Sequence, residues 1–246
     1  MPDQPLVACH ALPRSAATTL AIDIGGSGLK ATVLDDGGRM LCDRVRVDTP
    51  VGAPPPEVID TLETLVRDLP DYNRVAVGFP GMIRDGVVRT APNLGHADWV
   101  GFDLAKALQE RLGRPVRVAN DADVQGLAVV SGRGLEMVVT LGTGFGTAIY
   151  DKGRLCPHLE ISQLHFRKGE TYDEHLGNFA RKAFGNKKWQ KRVLRAIESM
   201  RQLTHFDHLY IGGGNVKNLY RYALPDYVTI VYNAAGLAGG AALWHD

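Results

Sequence analysis

Apolar and small residues follow the same order in two separate segments of the chain. In the first segment, the apolar runs 20–24 and 29–34 flank the glycine-rich stretch 25–28. In the second, the apolar runs 137–141 and 145–150 flank a similar group of glycines. Short apolar runs separated by clustered glycines predict a strand, a turn and a second strand. Two copies of this unit predict a duplicated domain with a cleft between the copies.

Helices and further strands are predicted between the two units. Apolar residues at helical spacing predict helices in 58–66 and in 104–112, and Gly113 is a suitable end for the second one. The runs 74–78 and 116–119 are typical of buried strands. Because strands alternate with helices, the sequence predicts an α/β fold.

The duplication divides the chain into parts. Residues 1–18 contain prolines but no apolar run after a basic start, so we predict a disordered leader rather than a signal peptide. We predict an N-terminal α/β domain in 19–123 and a C-terminal α/β domain in 124–246. A terminal helix is predicted in 233–245. Its alanines and glycines favour close packing, and we expect it to pack back on the N-terminal domain.

Charge and cysteine content restrict the class of protein. The chain has 28 Lys and Arg residues against 27 Asp and Glu residues, so its overall charge favours neither a nucleic-acid nor a membrane partner. Cys9, Cys42 and Cys156 are odd in number and far apart, which argues against a disulfide framework and a cysteine-rich zinc site. No apolar run reaches the length of a membrane span. These features predict a cytoplasmic protein.

The two glycine-rich turns are candidate phosphate-binding sites. Consecutive small residues between two strands expose several backbone N–H groups, which form a nest for phosphate oxygens. No Gly-Lys-Ser/Thr sequence follows the first turn, which excludes a Walker loop, and neither turn has the spacing of a dinucleotide-binding motif. Each turn alone favours a plain hairpin, but two copies beside acidic residues favour phosphate binding. The residues concerned are Gly25, Gly26, Ser27, Gly28, Gly142, Thr143 and Gly144.

Acidic residues stand at the ends of two predicted strands. Asp23 ends the first strand, where its carboxylate is placed to hold Mg²⁺ on donor phosphates, and Lys30 is either a positive contact or a solvated side chain. Asp121 follows the strand 116–119 and is the candidate base that accepts the proton of an attacking hydroxyl. Asp123 either competes for that role or caps the following helix. The combination predicts an enzyme that transfers a phosphoryl group to a small polar substrate.

Short motifs support a more specific interpretation. They are Asp23-Ile-Gly-Gly-Ser27, Gly78-Phe-Pro-Gly81 with Ala91-Pro-Asn93-Leu, Asn120-Asp121-Ala122, Leu141-Gly-Thr-Gly144 and Gly212-Gly-Gly214. In this order they resemble the ROK (repressor, ORF, kinase) family of sugar kinases, and within it the polyphosphate glucokinases of bacteria. The resemblance covers nearly the whole chain after residue 18.

The resemblance carries implications for fold, activity and site. It implies an actin-like ATPase fold of the ribonuclease H-like type, a homodimer, and glucose as the usual acceptor of a phosphoryl group from polyphosphate or ATP. It implies that Asp121 is the catalytic base. The residues implied to contact the sugar are Asn93, Asn120 and Glu160, and those implied to lie near the donor are Gly212, Gly213 and Gly214.

Two departures from the family pattern concern zinc binding and the identity of the sugar. Many relatives carry a Cys/His zinc motif beside the sugar site, but no cysteines cluster here, so zinc is not predicted. The family's Glu-Leu-Gly-His-Leu-Glu appears as Glu160-Ile-Ser-Gln163-Leu-His165. Gln163 can still donate to and accept from a sugar hydroxyl. His165, however, stands where the family has a glutamate, which only accepts, so the identity of the sugar stays open. Four nearby residues either compensate or, more typically, are surface side chains: His158, Glu170, Glu174 and His175.

A basic stripe is predicted on one helix of the second half. One face of this helix carries the basic residues Lys188, Lys191, Arg192 and Arg195. Another face carries the apolar residues Trp189, Val193, Ile197 and Met200, which are spaced for burial. The stripe is either a solvated face or a track that guides inorganic polyphosphate through counterion release.

Other functions stay open from the sequence alone. One is a strictly ATP-dependent ROK kinase for another hexose or an amino sugar. A second is a sugar-sensing regulator, but regulators of the family carry an added helix-turn-helix domain, for which residues 1–18 are too short. A third is a polyanion-binding protein without catalysis, against which the retained Asp23 and Asp121 argue.

Overall fold

The structure is a computed structural model that describes residues 17–50, 52, 54–220, 224–232 and 235–245. Most of the predicted leader, Cys9 and the start of the predicted terminal helix at 233–234 lie outside these residues. No helix in the described ranges is both long enough and apolar enough to cross a membrane.

Strands and helices alternate through both halves of the chain. The first half contains β1 (Thr19–Ile24), β2 (Leu29–Leu34), β3 (Val45–Val47), α1 (Pro55–Val66), β4 (Arg74–Phe79), β5 (Ile83–Arg84), β6 (Val87–Val88), α2 (Leu104–Leu112), β7 (Val116–Asn120) and α3 (Asp121–Leu127). The second half contains β8 (Leu135–Leu141), β9 (Phe145–Asp151), β10 (Arg154–Leu155), β11 (His165–Arg167), β12 (Glu170–Thr171), α4 (Tyr172–Leu176), α5 (Asn178–Phe184), α6 (Asn186–Thr204), β13 (His208–Gly212), β14 (Val228–Ile230) and α7 (Ala235–Ala242).

The two main sheets have the same topology. The first has the strand order β3-β2-β1-β4-β7, and the second has the order β10-β9-β8-β13-β14. In each sheet the first three strands are antiparallel neighbours, and the remaining strands are added in parallel. Both glycine-rich turns join equivalent strand pairs, β1–β2 and β8–β9. The predicted duplication and the predicted α/β fold are therefore confirmed.

Local sequence signals set the helix boundaries. The carboxylate of Asp103 accepts a hydrogen bond from the backbone N–H of Lys106 at the start of α2, and Gly113 ends α2 with φ 65°. On α6, the four predicted apolar residues are buried, and the indole of Trp189 donates to the carbonyl of Leu176 at 2.8 Å. The amphipathic interpretation of this helix is confirmed.

Helix α3 lies between the two sheets. It packs against β4 and β7 of the first sheet and against β8 and β9 of the second. Helix α7 packs against α3 and against β1 and β4, and this approach is close because Gly239 and Gly240 lack side chains: a Cβ on Gly240 would lie 3.0 Å from the Cβ of Ala21. The predicted domain division at residue 123 falls inside α3 and stays a prediction.

Candidate active site

A pocket of about 650 Å³ lies between the two halves of the chain. Both glycine-rich turns border it, together with the start of α3. Most of the predicted site residues line it, namely Asp23, Gly25, Gly26, Ser27, Lys30, Asn93, Asn120, Asp121, Gly142, Thr143, Gly144, Glu160, Gln163, Gly213 and Gly214. The predicted residues outside its lining are Gly28, Gly212, Lys188, Lys191, Arg192 and Arg195. The structure thus brings together residues that are far apart in sequence.

Each glycine-rich turn is closed by a backbone hydrogen bond from its first residue to its last. The N–H of Gly25 donates to the carbonyl of Gly28 at 3.1 Å, and the N–H of Gly142 donates to the carbonyl of Gly144 at 3.0 Å. The first turn lies close to the segment that carries Asn93, since a Cβ on Gly26 would lie 2.8 Å from the Asn93 carbonyl oxygen. A larger residue at Gly26 would therefore separate the first turn from that segment.

Asp23 and Lys30 form an ion pair inside the pocket. They are direct neighbours in the register of β1 and β2, and Nζ of Lys30 lies 2.7 Å from Oδ2 of Asp23. The second oxygen of Asp23 has no hydrogen-bond partner in the described part of the chain. Because Mg²⁺ in phosphoryl-transfer sites is bound through one or two carboxylates and the donor phosphates, this oxygen fits such an ion. No group of three or more His, Cys, Asp or Glu residues in the described ranges is arranged to hold a metal.

Asp121 is the first residue of α3 and faces the pocket. Its Oδ1 accepts a hydrogen bond from the N–H of Ala122 at 2.9 Å. Burial raises the pKa of Asp121 to about 7, and the negative charge of Asp23 adds to the increase. A carboxyl group that titrates near neutrality is well suited to accept and release a proton.

Asn120 fixes the start of α3. Its side-chain oxygen accepts from the N–H of Ala122 at 2.8 Å, and its side-chain nitrogen donates to the carbonyl of Gly81 at 3.1 Å. Asn120 is therefore the N-cap and also holds the loop after β4 beside Asp121. The alternative prediction that Asp123 caps this helix is wrong, since Asp123 lies inside α3 and is buried.

His158 and His175 are both buried and both contact a carboxylate. Nδ1 of His158 lies 3.0 Å from Oδ1 of Asp123, and Nε2 of His175 lies 2.9 Å from a carboxylate oxygen of Glu170. Both histidines are buried, so the prediction that they are surface side chains is wrong. Local sequence does not reveal their burial, because it results from packing against α3 and against the β11–β12 ribbon. Glu170 and Glu174 are exposed, as predicted.

Glu160 is oriented by two hydroxyl groups. One of its oxygens accepts from Thr90 at 3.1 Å, and the other accepts from Ser162 at 2.8 Å. The side-chain amide of Gln163 donates in turn to the Ser162 hydroxyl at 3.1 Å, so the three side chains are linked by hydrogen bonds. His165 is exposed on β11 and does not line the pocket. This part of the pocket lining therefore presents a fixed carboxylate and an amide.

The pocket also contains residues that the sequence analysis missed. Asp173, at the start of α4, accepts a hydrogen bond from the N–H of Phe145 at 2.7 Å, and burial raises its pKa. Arg44 and Arg46 line the pocket from the edge of the first sheet. The alternation of basic residues around β3 was a visible signal for these arginines, whereas nothing near Asp173 in the sequence pointed to the pocket.

The basic stripe lies on α6, outside the pocket lining. Lys188, Lys191 and Arg195 are exposed. Arg192 is half-buried, and its guanidinium carbon lies 3.7 Å from the centre of the Phe184 ring. Burial lowers the pKa of Arg192. Only the three exposed residues of the stripe are therefore freely available to a polyanion.

Comparisons with known proteins identify the family. The model of the ROK family matches residues 19–157, which include both glycine-rich turns and Asp121. The chain belongs to the ROK family. It is similar to the polyphosphate glucokinase of Mycobacterium tuberculosis, with 31% identity over 236 residues that cover 89% of this chain and 88% of the relative.

Solved structures support the same assignment of this ROK-family protein. The inorganic polyphosphate/ATP-glucomannokinase of Arthrobacter sp. strain KM has a TM-score of 0.82 and 33% identity, and the match covers 92% of this chain and 97% of the relative. A ROK family glucokinase of Streptomyces griseus, solved in complex with glucose and AMPPNP, has a TM-score of 0.74 and 19% identity, with 92% and 99% covered. The predicted actin-like ATPase fold and the resemblance to polyphosphate glucokinases are confirmed.

Proposed function

We propose that this ROK-family protein is a sugar kinase that transfers a phosphoryl group from inorganic polyphosphate or ATP to the 6-hydroxyl of glucose. The observation that carries the proposal is the position of Asp121 in a pocket bordered by two glycine-rich turns. The polyphosphate glucokinase of M. tuberculosis and the polyphosphate/ATP-glucomannokinase of Arthrobacter support the donor and the acceptor.

The transfer step depends on Asp121. The oxygen of the sugar hydroxyl attacks the terminal phosphorus of the donor, and its proton passes to the carboxylate of Asp121. The bond between that phosphorus and the bridging oxygen of the donor breaks, so the bridging oxygen leaves with the electron pair on ADP or on a polyphosphate shortened by one unit. Since the pKa of Asp121 is raised to about 7, a large fraction of the enzyme holds this carboxylate ready at neutral pH.

The acceptor is held by the wall that carries Glu160. Its carboxylate is fixed by Thr90 and Ser162 and has lone pairs left to accept from sugar hydroxyls. Asn93 and Gln163 line the same pocket and provide amide groups that both donate and accept. We assign the orientation of the sugar to these residues, with its reactive hydroxyl toward Asp121.

The donor phosphates are held by the glycine-rich turns. Backbone N–H groups of both turns and the ammonium group of Lys30 provide positive partners for phosphate oxygens. Asp23 is the residue that would hold Mg²⁺ together with the donor, and the ion would supply neutralisation of phosphate charge. Lys30 keeps the carboxylate of Asp23 oriented through its ion pair.

The proposal extends to assembly and location. We propose that the protein acts as a homodimer, as its resemblance to the family implies. We also propose a cytoplasmic location, because Cys9, Cys42 and Cys156 are odd in number and far apart in the sequence, as expected in a reducing compartment.

A second candidate is an ATP-dependent kinase for another hexose or an amino sugar. It is favoured by one observation, which is that Gln163 lines the pocket where the family pattern has histidine. An amide accepts and donates at once, so the pocket tolerates a sugar with a different arrangement of hydroxyl groups.

A panel of donors and acceptors separates the two candidates. Purified protein is incubated with polyphosphate or ATP and with glucose, mannose or N-acetylmannosamine, and the sugar phosphate is measured. The Asp121→Asn protein, purified in parallel, reports any contaminating kinase. We expect phosphorylation of glucose from both donors. Transfer from ATP alone, or to N-acetylmannosamine in preference to glucose, would favour the second candidate, and no transfer in any combination would refute both.

A further inference from the structure

The basic residues of the pocket all lie on one wall. Its lining contains Lys30, Arg44 and Arg46, which come from β2 and from the edge of the first sheet at β3. The acidic residues of the lining come from other elements: Asp23 from β1, Asp121 from the start of α3, Asp173 from α4 and Glu160 from the segment between β10 and β11. The charge of the pocket therefore changes from negative at the reacting centre to positive at the outer edge of the first sheet.

Strand pairing arranges these groups in a row. In the sheet register, Asp23 lies opposite Lys30, and Lys30 lies opposite Arg46. Directly opposed residues on neighbouring strands point to the same face of a sheet. Because neighbouring strands lie about 4.8 Å apart, the row extends roughly 10 Å from Asp23 to Arg46. It begins at Asp23, whose charge acts on Asp121, and ends at β3, the edge strand of the first sheet.

Arg46 is attached to the first glycine-rich turn. Its Nη2 donates to the carbonyl of Ser27 at 3.1 Å and lies 2.8 Å from a carboxylate oxygen of Asp48. Its guanidinium group covers Gly28 so closely that a Cβ there would lie 2.8 Å from Nε. Both polar contacts use Nη2, and in the described part of the chain Nη1 makes no hydrogen bond. Arg46 is thus held in place with N–H groups left for a ligand.

Arg44 extends the row along the sheet edge. It precedes β3 by one residue and is exposed at the pocket rim. Among the described residues, no carboxylate forms an ion pair with it. Arg44 and Arg46 are two positions apart, with Val45 between them, and at an extended segment this spacing places both on the same side of the chain.

We propose that Lys30, Arg46 and Arg44 form a subsite for the donor phosphates beyond the one that is transferred, so that a polyphosphate chain leaves the pocket along the outer edge of the first sheet. This proposal rests on the proposed function. It adds a path for the donor that differs from the basic stripe on α6, which lies outside the pocket lining.

The chemistry of the row suits a linear polyphosphate. Each unit of the chain carries negative charge and offers oxygens to guanidinium forks, and binding needs no pocket for a base or a ribose. ATP has only two phosphates beyond the transferred one, so its phosphates reach no farther than Lys30 and Arg46. A longer chain continues to Arg44. Removing the arginines should therefore weaken the binding of long polyphosphate more than the binding of ATP.

The test compares Arg44→Gln, Arg46→Gln and the double variant with wild type. The matched control is Arg154→Gln, because Arg154 is an exposed arginine on β10, the strand of the second sheet that corresponds to β3. Michaelis constants are measured for ATP and for polyphosphates of defined length, from three units to several tens. We expect the double variant to raise the KM for long polyphosphate about tenfold or more while the KM for ATP rises about threefold or less.

A binding measurement gives an independent readout. Polyphosphate binding is measured at several salt concentrations without sugar, and the slope of log K against log[salt] is compared between proteins. Each lost arginine contact should reduce the slope by about one. Arg44→Gln is the decisive single variant, because Arg44 does not support the glycine-rich turn whereas Arg46 does. The increase in its KM over the wild-type value should be larger for longer polyphosphates. The Arg154→Gln protein should behave like wild type.

Two outcomes would overturn the subsite. One is an unchanged polyphosphate KM and salt slope in Arg44→Gln and in the double variant. The other is an equal loss with ATP and with long polyphosphate. Failure of the proposed function has a different signature, because wild-type protein would then transfer phosphate from neither donor in the same assay.

Discussion

Nδ1 of His158 lies 3.0 Å from Oδ1 of Asp123, and both side chains are almost completely buried. Asp123 follows Asp121 by two residues on α3, and His158 precedes Glu160 by two residues. The pair therefore ties the helix that carries the proposed base to the segment that carries the proposed sugar-binding carboxylate. The Tyr150 hydroxyl donates to the backbone carbonyl of Asp123 and fixes the same turn of α3.

The first prediction concerns this buried pair. His158→Ala leaves the Asp123 carboxyl group buried without its partner, so we expect the free energy of unfolding to fall by about 3 kcal/mol. Asp123→Asn removes the charge but keeps a hydrogen-bonding group, and its cost should be about 1 kcal/mol. Urea unfolding at pH 7 measures both. Equal stability of wild type and His158→Ala would mean that the pair does not hold the two segments together.

The second prediction is a pH dependence of catalysis. Burial, with the charge of Asp23 as a further cause, raises the pKa of Asp121 to about 7. Below that pH the carboxyl group is protonated and does not accept the hydroxyl proton. We therefore expect kcat/KM for glucose to fall about tenfold for each pH unit below about 7 and to level off above it.

A variant separates the titration of Asp121 from that of the donor. Asp23→Asn removes a negative charge beside Asp121, so the pKa of Asp121 should fall and the inflection of the profile should move to lower pH. Titration of the donor phosphates is the same in both proteins. If the inflection lies at the same pH in wild type and in Asp23→Asn, the pH profile reports titration of the donor phosphates and not of Asp121.

The third prediction uses the close approach of the first glycine-rich turn to Asn93. In Gly26→Ala the new methyl group would lie 2.8 Å from the Asn93 carbonyl oxygen, so the turn or the sugar-binding segment must move. We expect kcat/KM to fall about tenfold or more, because small displacements of reacting groups are costly. Gly37→Ala is the control, since its methyl group meets only the Asp35 carboxylate at 3.4 Å. Equal activity of the two variants would contradict the geometry.

The fourth prediction concerns the basic stripe on α6. Charge reversal at Lys188 and Lys191 should raise the KM for long polyphosphate but leave short polyphosphate and ATP unaffected, because these lysines lie outside the pocket lining. The control reverses Lys106 and Arg154, two exposed basic residues elsewhere, and so changes the net charge equally. If both double variants lose affinity for long chains to the same extent, the effect comes from net charge, and the stripe is a solvated helix face.

Local sequence signals predicted the repeated unit and the helices well. The two strand–turn–strand units, the end of α2 at Gly113 and the buried face of α6 all follow from residue type and spacing over short distances. Asp121 was placed at the cleft because it follows a buried strand. These features depend on backbone preferences and amphipathic patterns, which a sequence displays directly.

Contacts between distant segments explain most of the errors. His158 is buried because it meets Asp123 on α3, and its neighbours in sequence contain no sign of that contact. Arg46 reaches the pocket because β3 pairs with β2 in one particular register. The capping residue of α3 was missed because Asn120 and Asp123 are both good N-caps, and the position of the strand end decided between them.

The central claim is that Asp121 accepts the proton of the sugar hydroxyl, and Asp121→Asn tests it most directly. Turnover with glucose and a saturating donor is measured beside the dissociation constant for glucose, obtained by calorimetry. We predict that turnover falls roughly a thousandfold, while the asparagine still holds the sugar and the dissociation constant changes by no more than about threefold. Turnover within about threefold of wild type, with glucose bound normally, would contradict the claim.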